Sequence, residues 1–403
     1  MTMPLDGVRL IDMTRNGPGL YAAMILADMG ADVVKVEEVG EPTGRRAEQA
    51  KGVATLQVSA GRVPRDSPFY APNRNKRSIC LNLKHDEARQ AFYRLAEKSD
   101  VVLEGFRPGV TQRLGIGYDT LSKLNPRIIY CALTGYGQDG PYRDLVGHDI
   151  NYIAVAGALA TTGKANEPPT LPGFQLGDFA GGGLHAALGI VLAIMARERT
   201  GRGQVVDISM TDGVMSFLST LVSDYLWSKR APVRGEEMLN GGVPHYNLYE
   251  CKDGKHIALG CSEPWFYANL CRALGHEEFV PFQYTGGETR ENIFSTFREI
   301  FKTRTRDEWF AYLSKTDTCV GKVYTLDEVA SDPQVRHRQM VIEVQDPQHG
   351  VIPQVGIGIK LSDTPGRIRS LAPSPGQHTD EVLHSLGYTA QTITALRTAG
   401  AIK

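Results

Sequence analysis

Val8-Arg9-Leu10-Ile11-Asp12, then the turn-rich Asn16-Gly17-Pro18-Gly19, an amphipathic stretch from about Leu20 to Met29 stopped by Gly30, and Val33-Val34-Lys35-Val36-Glu37 decide the fold. The two short apolar runs predict buried strands, and the 3.6-residue spacing between them predicts a helix. Strand, helix and parallel strand in under forty residues make a βαβ unit. The alternation continues with predicted strand Ser78–Leu83, helix Asp86–Lys98, strand Val101–Glu104, helix Leu121–Leu124 and strand Ile128–Leu133. This pattern predicts an α/β fold: a parallel sheet with helices on both faces.

Further along, a nearly all-apolar helix from about Gly183 to Glu198 is expected to be buried on all sides. Gly201-Arg202-Gly203 ends it, before a strand at Val205–Met210. From about Leu239 the character changes. Tyr246–Cys251, Asp253-Gly254 and His256–Gly260 read as an antiparallel hairpin with an Asp-Gly turn. Helical patterns follow at Trp265–Leu274, Glu291–Phe301 and near Asp307–Leu313, and a last one at Asp380–Leu386. Residues 1–215 are therefore expected to start a large domain, 225–330 to form a small α+β domain, and 335–403 to return and complete the large one.

Lys plus Arg number 44 and Asp plus Glu 45, a net charge of -1, which gives no reason to expect nucleic-acid binding. Hydrophobic residues at 42% and charged residues at 22% are ordinary for a globular chain. The six cysteines form no C-x-x-C pair, which argues against a zinc site or a dense disulfide framework and for reduced thiols. The longest apolar run, roughly Leu184 to Met195 with His185 inside it, falls short of the ~20 residues of a membrane span. Neither Met1–Asp6 nor Ala401-Ile402-Lys403 reads as an address. The expectation is a cytoplasmic protein with no membrane or nucleic-acid partner.

The opening βαβ unit invites a dinucleotide, with Glu37 as the ribose ligand. Thr14-Arg15-Asn16-Gly17-Pro18-Gly19 lacks the G-x-G-x-x-G fingerprint, however, and the reading of Glu37 as a solvated polar residue is preferred. Arg74, Lys76, Arg77 and Lys84 bracket the third strand, and Arg107 and Arg113 follow the fourth. Because strand C-termini of a parallel sheet face the ligand crevice, Lys84 and Arg107 could converge on phosphates while Phe106 stacks on a base. The alternative for each is a solvated surface charge.

Two stretches carry candidate chemistry: Gly147-His148-Asp149-Ile150-Asn151-Tyr152 and Gly177-Asp178-Phe179-Ala180-Gly181-Gly182-Gly183. Asp149 can cap a helix over Ile150–Leu159, and the positive end of that helix opposes an imidazolium at His148, which suits a general base. Asp178 precedes a helix and reads either as a plain cap or as a functional carboxylate. Three glycines in a first helical turn are costly, and make sense if a ligand must approach the backbone closely. Glu263, before Pro264-Trp265, also stands at a helix start, where a cap is the simple reading.

At these residues the chain resembles the α-methylacyl-CoA racemase branch of the family III CoA-transferases (CaiB/BaiF). The resemblance rests on His148 in G-H-D-I-N-Y, Asp178 in G-D-F-A-G-G-G, Asn240-Gly241-Gly242-Val243-Pro244-His245-Tyr246 and Glu263 in its E-P-x-F-Y context, and it runs over nearly the whole chain. Asn73-Arg74-Asn75-Lys76-Arg77-Ser78, Thr134–Pro141 and Gly201–Gln204 are shared by the wider family and do not separate racemase from transferase.

The resemblance implies a large Rossmann-like domain plus a small α+β domain in an interlocked homodimer, with the active site between the large domain of one subunit and the small domain of the other. It implies His148 and Asp178 as acid/base groups on opposite sides of an acyl-CoA α-carbon, with Glu263 orienting His148. Coenzyme A, part of the substrate rather than a cofactor, would lie along Leu81, Asn82, Leu83, Lys84, Gly105, Phe106, Arg107, Arg113, Gly147, Asp149, Ile150, Asn151 and Tyr152. No metal or redox cofactor is implied.

Two features depart from the racemase pattern. Glu38 stands where racemase relatives can carry a basic CoA contact. Residues 46–70 form a longer insertion than short racemases have, and Asp66-Ser67-Pro68-Phe69-Tyr70 looks more like the transferase branch, in which the residue at Asp178 is a nucleophile.

Overall fold

A computed structural model describes residues 2–40, 63–64 and 67–403, so most of the 46–70 insertion, Asp66 included, lies outside the described residues. The chain divides into two compact units, one of residues 1–156, 174–217 and 333–403, the other of 157–173 and 218–332. The stretch 157–173, placed by sequence in the large domain, belongs with the second unit.

The first unit is built on six strands, β1 (Arg9–Asp12), β2 (Asp32–Glu37), β3 (Lys76–Cys80), β4 (Val101–Glu104), β5 (Ile129–Thr134) and β6 (Val205–Ser209). They form one sheet in the order β3-β2-β1-β4-β5-β6, and every pairing is parallel. Strand side chains alternate between faces, so both faces of such a sheet need a cover. Leu10, Val33, Leu103 and Cys131 join one core layer under α1 (Gly17–Asp28). Ile11, Val34, Val102 and Tyr130 join the other, with Phe92 and Leu95 of α2 (Asp86–Glu97) and Leu121 of α3 (Tyr118–Leu124). The returning chain adds Val382, Leu383, Ile393 and Leu396 to this second layer from helices Thr379–Ser385 and Ala390–Thr398. α1 starts at Gly17, with Pro18 in its first turn, and ends before Gly30 at φ +113°, a conformation that favours glycine.

The Asn73–Arg77 run reads differently in three dimensions than in sequence. Arg74 is buried and clasps Asp28 through Nε and Nη2 at 3.0 and 2.6 Å. Asn75, at φ +60°, donates to Asp28 and to the Arg367 carbonyl, and accepts from the backbone of Ser370. Lys76 pairs with Asp12 at 2.8 Å and Arg77 with Asp32 at 2.7 Å. These side chains tie β3 and the residues entering it to β1, β2, α1 and the returning chain instead of meeting phosphates.

The apolar helix also departs from expectation. A wide turn over Leu176–Leu184 with five-residue hydrogen-bond spacing runs into α5 (His185–Thr200), making a 25-residue helix. With a mean hydropathy of 1.9 over eighteen residues, it is long and apolar enough to cross a membrane, contrary to the run counted in sequence. Ala186, Ala187, Ile190 and Ala193 face the sheet core. Leu184, Leu188, Leu192 and Met195, three or four residues apart, stay 43–58% exposed on the opposite face. The helix is therefore one-sided rather than buried all round.

The second unit has an antiparallel sheet, β7 (Tyr246–Glu250), β8 (His256–Gly260) and β9 (Val320–Lys322). Its core is aromatic, with Tyr249 stacked on Phe301 at 5.0 Å and Phe301 against Trp309. The hairpin turn predicted at Asp253-Gly254 is present, with Gly254 at φ +72°.

Candidate active site

Strand order reverses between β1 and β4, and in open α/β sheets the ligand crevice opens beyond the strand C-termini at that point. Three loops meet there, those following β1, β4 and β5. After β1, Asp12 Oδ1 accepts from the Thr14 amide at 2.9 Å and from Thr14 Oγ1 at 2.6 Å, fixing the chain as it enters α1. After β4, the buried carboxylate of Glu104 accepts from the Phe106 amide at 2.6 Å and shapes the Gly105–Arg107 turn. Burial pushes the Glu104 carboxyl up to about 7.

The loop after β5 leads to α4 (Asp149–Val155), and the local structure corrects the expected cap. His148, not Asp149, occupies the N-cap position, and its amide donates to Asn151 Oδ1 at 3.0 Å. Asp149 is the first helical residue, and its carboxylate accepts from the Asp178 amide at 2.8 Å. The helix ends before Gly157, at φ +88°, rather than running to Leu159. Tyr152 is buried beneath the loop, its hydroxyl donating to the Gly147 carbonyl at 2.5 Å and its ring edge-on to Tyr136 at 5.3 Å. A Cβ on Gly135 would fall 2.2 Å from that ring, which explains the glycine there.

Asp178 lies in the first turn of the Leu176–Leu184 segment, whose N-cap is Gln175, so it is not a plain cap. Its three following glycines serve packing rather than ligand approach. Cβ atoms on Gly181 and Gly182 would fall 2.6–2.7 Å from Met210 of α6 (Met210–Phe217), and one on Gly183 would fall 2.6 Å from the Pro18 carbonyl. Burial pushes the Asp178 carboxyl up to about 6; nearby Asp149 adds to this and His148 opposes it. A carboxyl in that range can hold and release a proton near neutral pH.

Two cavities occupy this crevice. One of ≈1130 Å³ is walled by His148 and Asp178, with Gly147, Asn151 and Tyr152. The other, ≈900 Å³, is walled by Leu81, Asn82, Leu83 and Lys84. Gly105, Phe106, Arg107 and Arg113 line both. Of the residues that resemblance assigned to coenzyme A, Asp149 and Ile150 line neither cavity. Glu263 stands in the second unit as the N-cap of α7 (Pro264–Ala273), exposed and making no side-chain capping bond. A larger cavity of ≈1460 Å³ in the second unit, lined by Arg290, Arg298 and His256 among others, holds none of the predicted catalytic residues.

Sequence reasoning missed Thr14, Arg15, Tyr136 and Arg143 as wall residues. The signal for the first two was present, since the loop after β1 obeys the same strand-end rule used for Arg107. Arg15 lies over the Phe106 ring at 5.5 Å and pairs with Glu38 at 2.6 Å, so a cation stands beside the position where the racemase pattern calls for a basic group.

Comparison with known proteins agrees with this architecture. A family model described as CoA-transferase family III matches residues 5–379. An alpha-methylacyl-CoA racemase of Mus musculus is 37% identical over 98% of this chain and 96% of its own. An acyl-CoA transferase of Fusarium pseudograminearum (strain CS3096) is also 37% identical, over 99% of this chain and 88% of its own. The crystal structure of a CAIB/BAIF family protein from Brucella suis superposes with a TM-score of 0.80 at 28% identity, covering 96% of this chain and all (100%) of that one.

Proposed function

The chain belongs to CoA-transferase family III, and from that premise we propose that it inverts the α-carbon of 2-methyl-branched or 2-aryl acyl-CoA thioesters. The observation that carries the reading is the sharing of one cavity wall by His148 and Asp178, the latter with its carboxyl raised to about 6. A thioester acidifies its α-proton. One group removes that proton and leaves an enolate, and the other returns a proton from the opposite face, so charge and atoms balance without an electron carrier. Likeness to racemases supports this. Coenzyme A enters as the substrate's handle, with Lys84, Arg107 and Arg113 as the cations offered to its phosphates.

The second reading is CoA transfer between carboxylic acids, with Asp178 attacking the thioester carbonyl to give an acyl-aspartyl anhydride and free CoA thiolate. Likeness to the acyl-CoA transferase supports it. Incubation with a chiral 2-methylacyl-CoA in heavy water, with and without a free carboxylic acid, separates the two. Deuterium entering the α-carbon without acid is the expected result. Absence of exchange, together with acid-dependent transfer and hydroxylamine trapping at Asp178, would sink the racemase reading.

A homodimer, with Glu263 orienting His148, completes the proposal. The exposed stripe Leu184, Leu188, Leu192 and Met195 supports a covering partner. Leu188→Glu with Leu192→Glu is expected to convert a dimer to monomers in sedimentation; an unaltered sedimentation coefficient would exclude this face as the interface.

A further inference from the structure

We propose that Lys76 and Asp12 are positioning residues for Asp178, acting through Thr14 and the first turn of α1. Both side chains are fully buried (0% exposed), and neither lines a cavity in the crevice. Lys76 Nζ donates to Asp12 Oδ2 at 2.8 Å and to the Leu20 carbonyl, in the first turn of α1, at 3.3 Å. Asp12 Oδ1 in turn holds the Thr14 amide and hydroxyl. One cation thus ties together both ends of the loop that carries the chain from β1 into α1.

That loop has no slack. A Cβ on Gly19 would fall 2.3–2.6 Å from Thr14 side-chain atoms, so the first turn of α1 sits directly on Thr14. On its other side, the Cβ position of Gly17 lies 3.4 Å from the Phe179 ring and 3.7 Å from Asp178 Oδ2, and that of Gly183 lies 2.6 Å from the Pro18 carbonyl. The turn is seated between Thr14 and the segment bearing Asp178. Any release of Thr14 shifts the backbone that lies against the reacting carboxyl. A buried ion pair is a poor source of net stability but a strong source of fixed geometry when both carboxylate oxygens are hydrogen-bonded, as Asp12 Oδ1 and Oδ2 are here. The inference rests on Asp178 being the reacting carboxyl, and holds whether it moves a proton or attacks a carbonyl.

Thr14→Val keeps the branched shape and removes the hydroxyl; Thr14→Ser keeps the hydroxyl. Turnover of the Thr14→Val enzyme, followed as both α-deuterium exchange and acid-dependent CoA transfer, is expected to fall ~10–100-fold, because small misplacements cost rates of that order. The loss should fall on kcat much more than on KM for the acyl-CoA, and Thr14→Ser should recover most of the rate. In a double-mutant cycle with Asp12→Asn, the Thr14→Val effect should largely vanish, since both changes break one link. The carbon-13 carboxyl titration of Asp178, assigned with Asp178→Asn, should shift in Thr14→Val and return in Thr14→Ser. This readout needs no turnover, so it decides the inference even if the unaltered enzyme shows neither reaction and the functional reading fails. An unchanged Asp178 titration in Thr14→Val, or full additivity with Asp12→Asn, overturns the proposal; additivity would mean that Thr14 acts on the substrate alone.

Discussion

Two sets of basic residues look alike on paper and do opposite work. Arg74, Lys76 and Arg77 enter or lie within β3, and each is spent on a carboxylate of the fold: Asp28, Asp12 and Asp32. Lys84, Arg107 and Arg113 come from segments that follow β3 and β4, and all three line the crevice cavities. The difference is position along the strand. A charge within a buried sheet must find a counter-charge inside the protein, because desolvating it alone is too costly, whereas one beyond the strand end keeps water and faces the ligand.

The comparison predicts a clean division between stability and affinity. Breaking the first set has the largest effect: Asp28→Ala strands the buried Arg74 guanidinium and is expected to cost ~3–5 kcal/mol in urea unfolding. A loss under ~1 kcal/mol would show that Arg74 behaves as a surface charge. Arg107→Ala belongs to the second set. It should weaken CoA binding ~10-fold, the range for one hydrogen bond to a charged group, with an unchanged melting midpoint. A lowered midpoint with unchanged affinity would reverse the assignment.

Asp178 sharpens the contrast, as a crevice-lining carboxyl whose charge is opposed by burial and by nearby Asp149. Its pKa is raised in the folded protein to about 6, so the native state keeps a proton that the unfolded chain has lost. The Asp178 contribution to stability is therefore greatest below the unfolded value near 4, falls as pH rises to about 6, and stays lower above it. Asp178→Asn removes this dependence and should gain ~1–2 kcal/mol over the unaltered protein between pH 4 and pH 7, discounted for partial exposure. A difference that is flat with pH would show that Asp178 is not desolvated.

The sheet was legible because its strands alternate with helices at short, regular spacing, and strands such as Val101–Glu104 carry apolar runs, here Val101–Leu103. His148 and Asp178 were singled out from their glycine-flanked contexts, and the fold brings both to one cavity wall. What escaped depends on neighbours distant in sequence. The three glycines after Asp178 look like a ligand cradle until Met210 and Pro18 arrive against them. α5 looks like a fully buried helix because composition reports hydrophobicity and not direction; only the core contacts reveal that Leu188 and Leu192 point away. Asp149 looks like a cap because caps are local, yet its carboxylate is taken by an amide 29 positions away. Helix Ala390–Thr398 escaped although Thr389 caps it, accepting from the Thr392 amide, and Gly400 at φ +71° follows its end; Ile393 and Leu396 pack it into the core.

The central claim, that His148 moves a carbon-bound proton, meets its most direct test in α-proton exchange. With a chiral 2-methylacyl-CoA in heavy water and no added acid, the unaltered enzyme should incorporate deuterium at the α-carbon, and His148→Ala should reduce that rate ~100-fold or more, the scale of a general base. Exchange at nearly the full rate in His148→Ala would leave His148 as nothing more than the N-cap of α4.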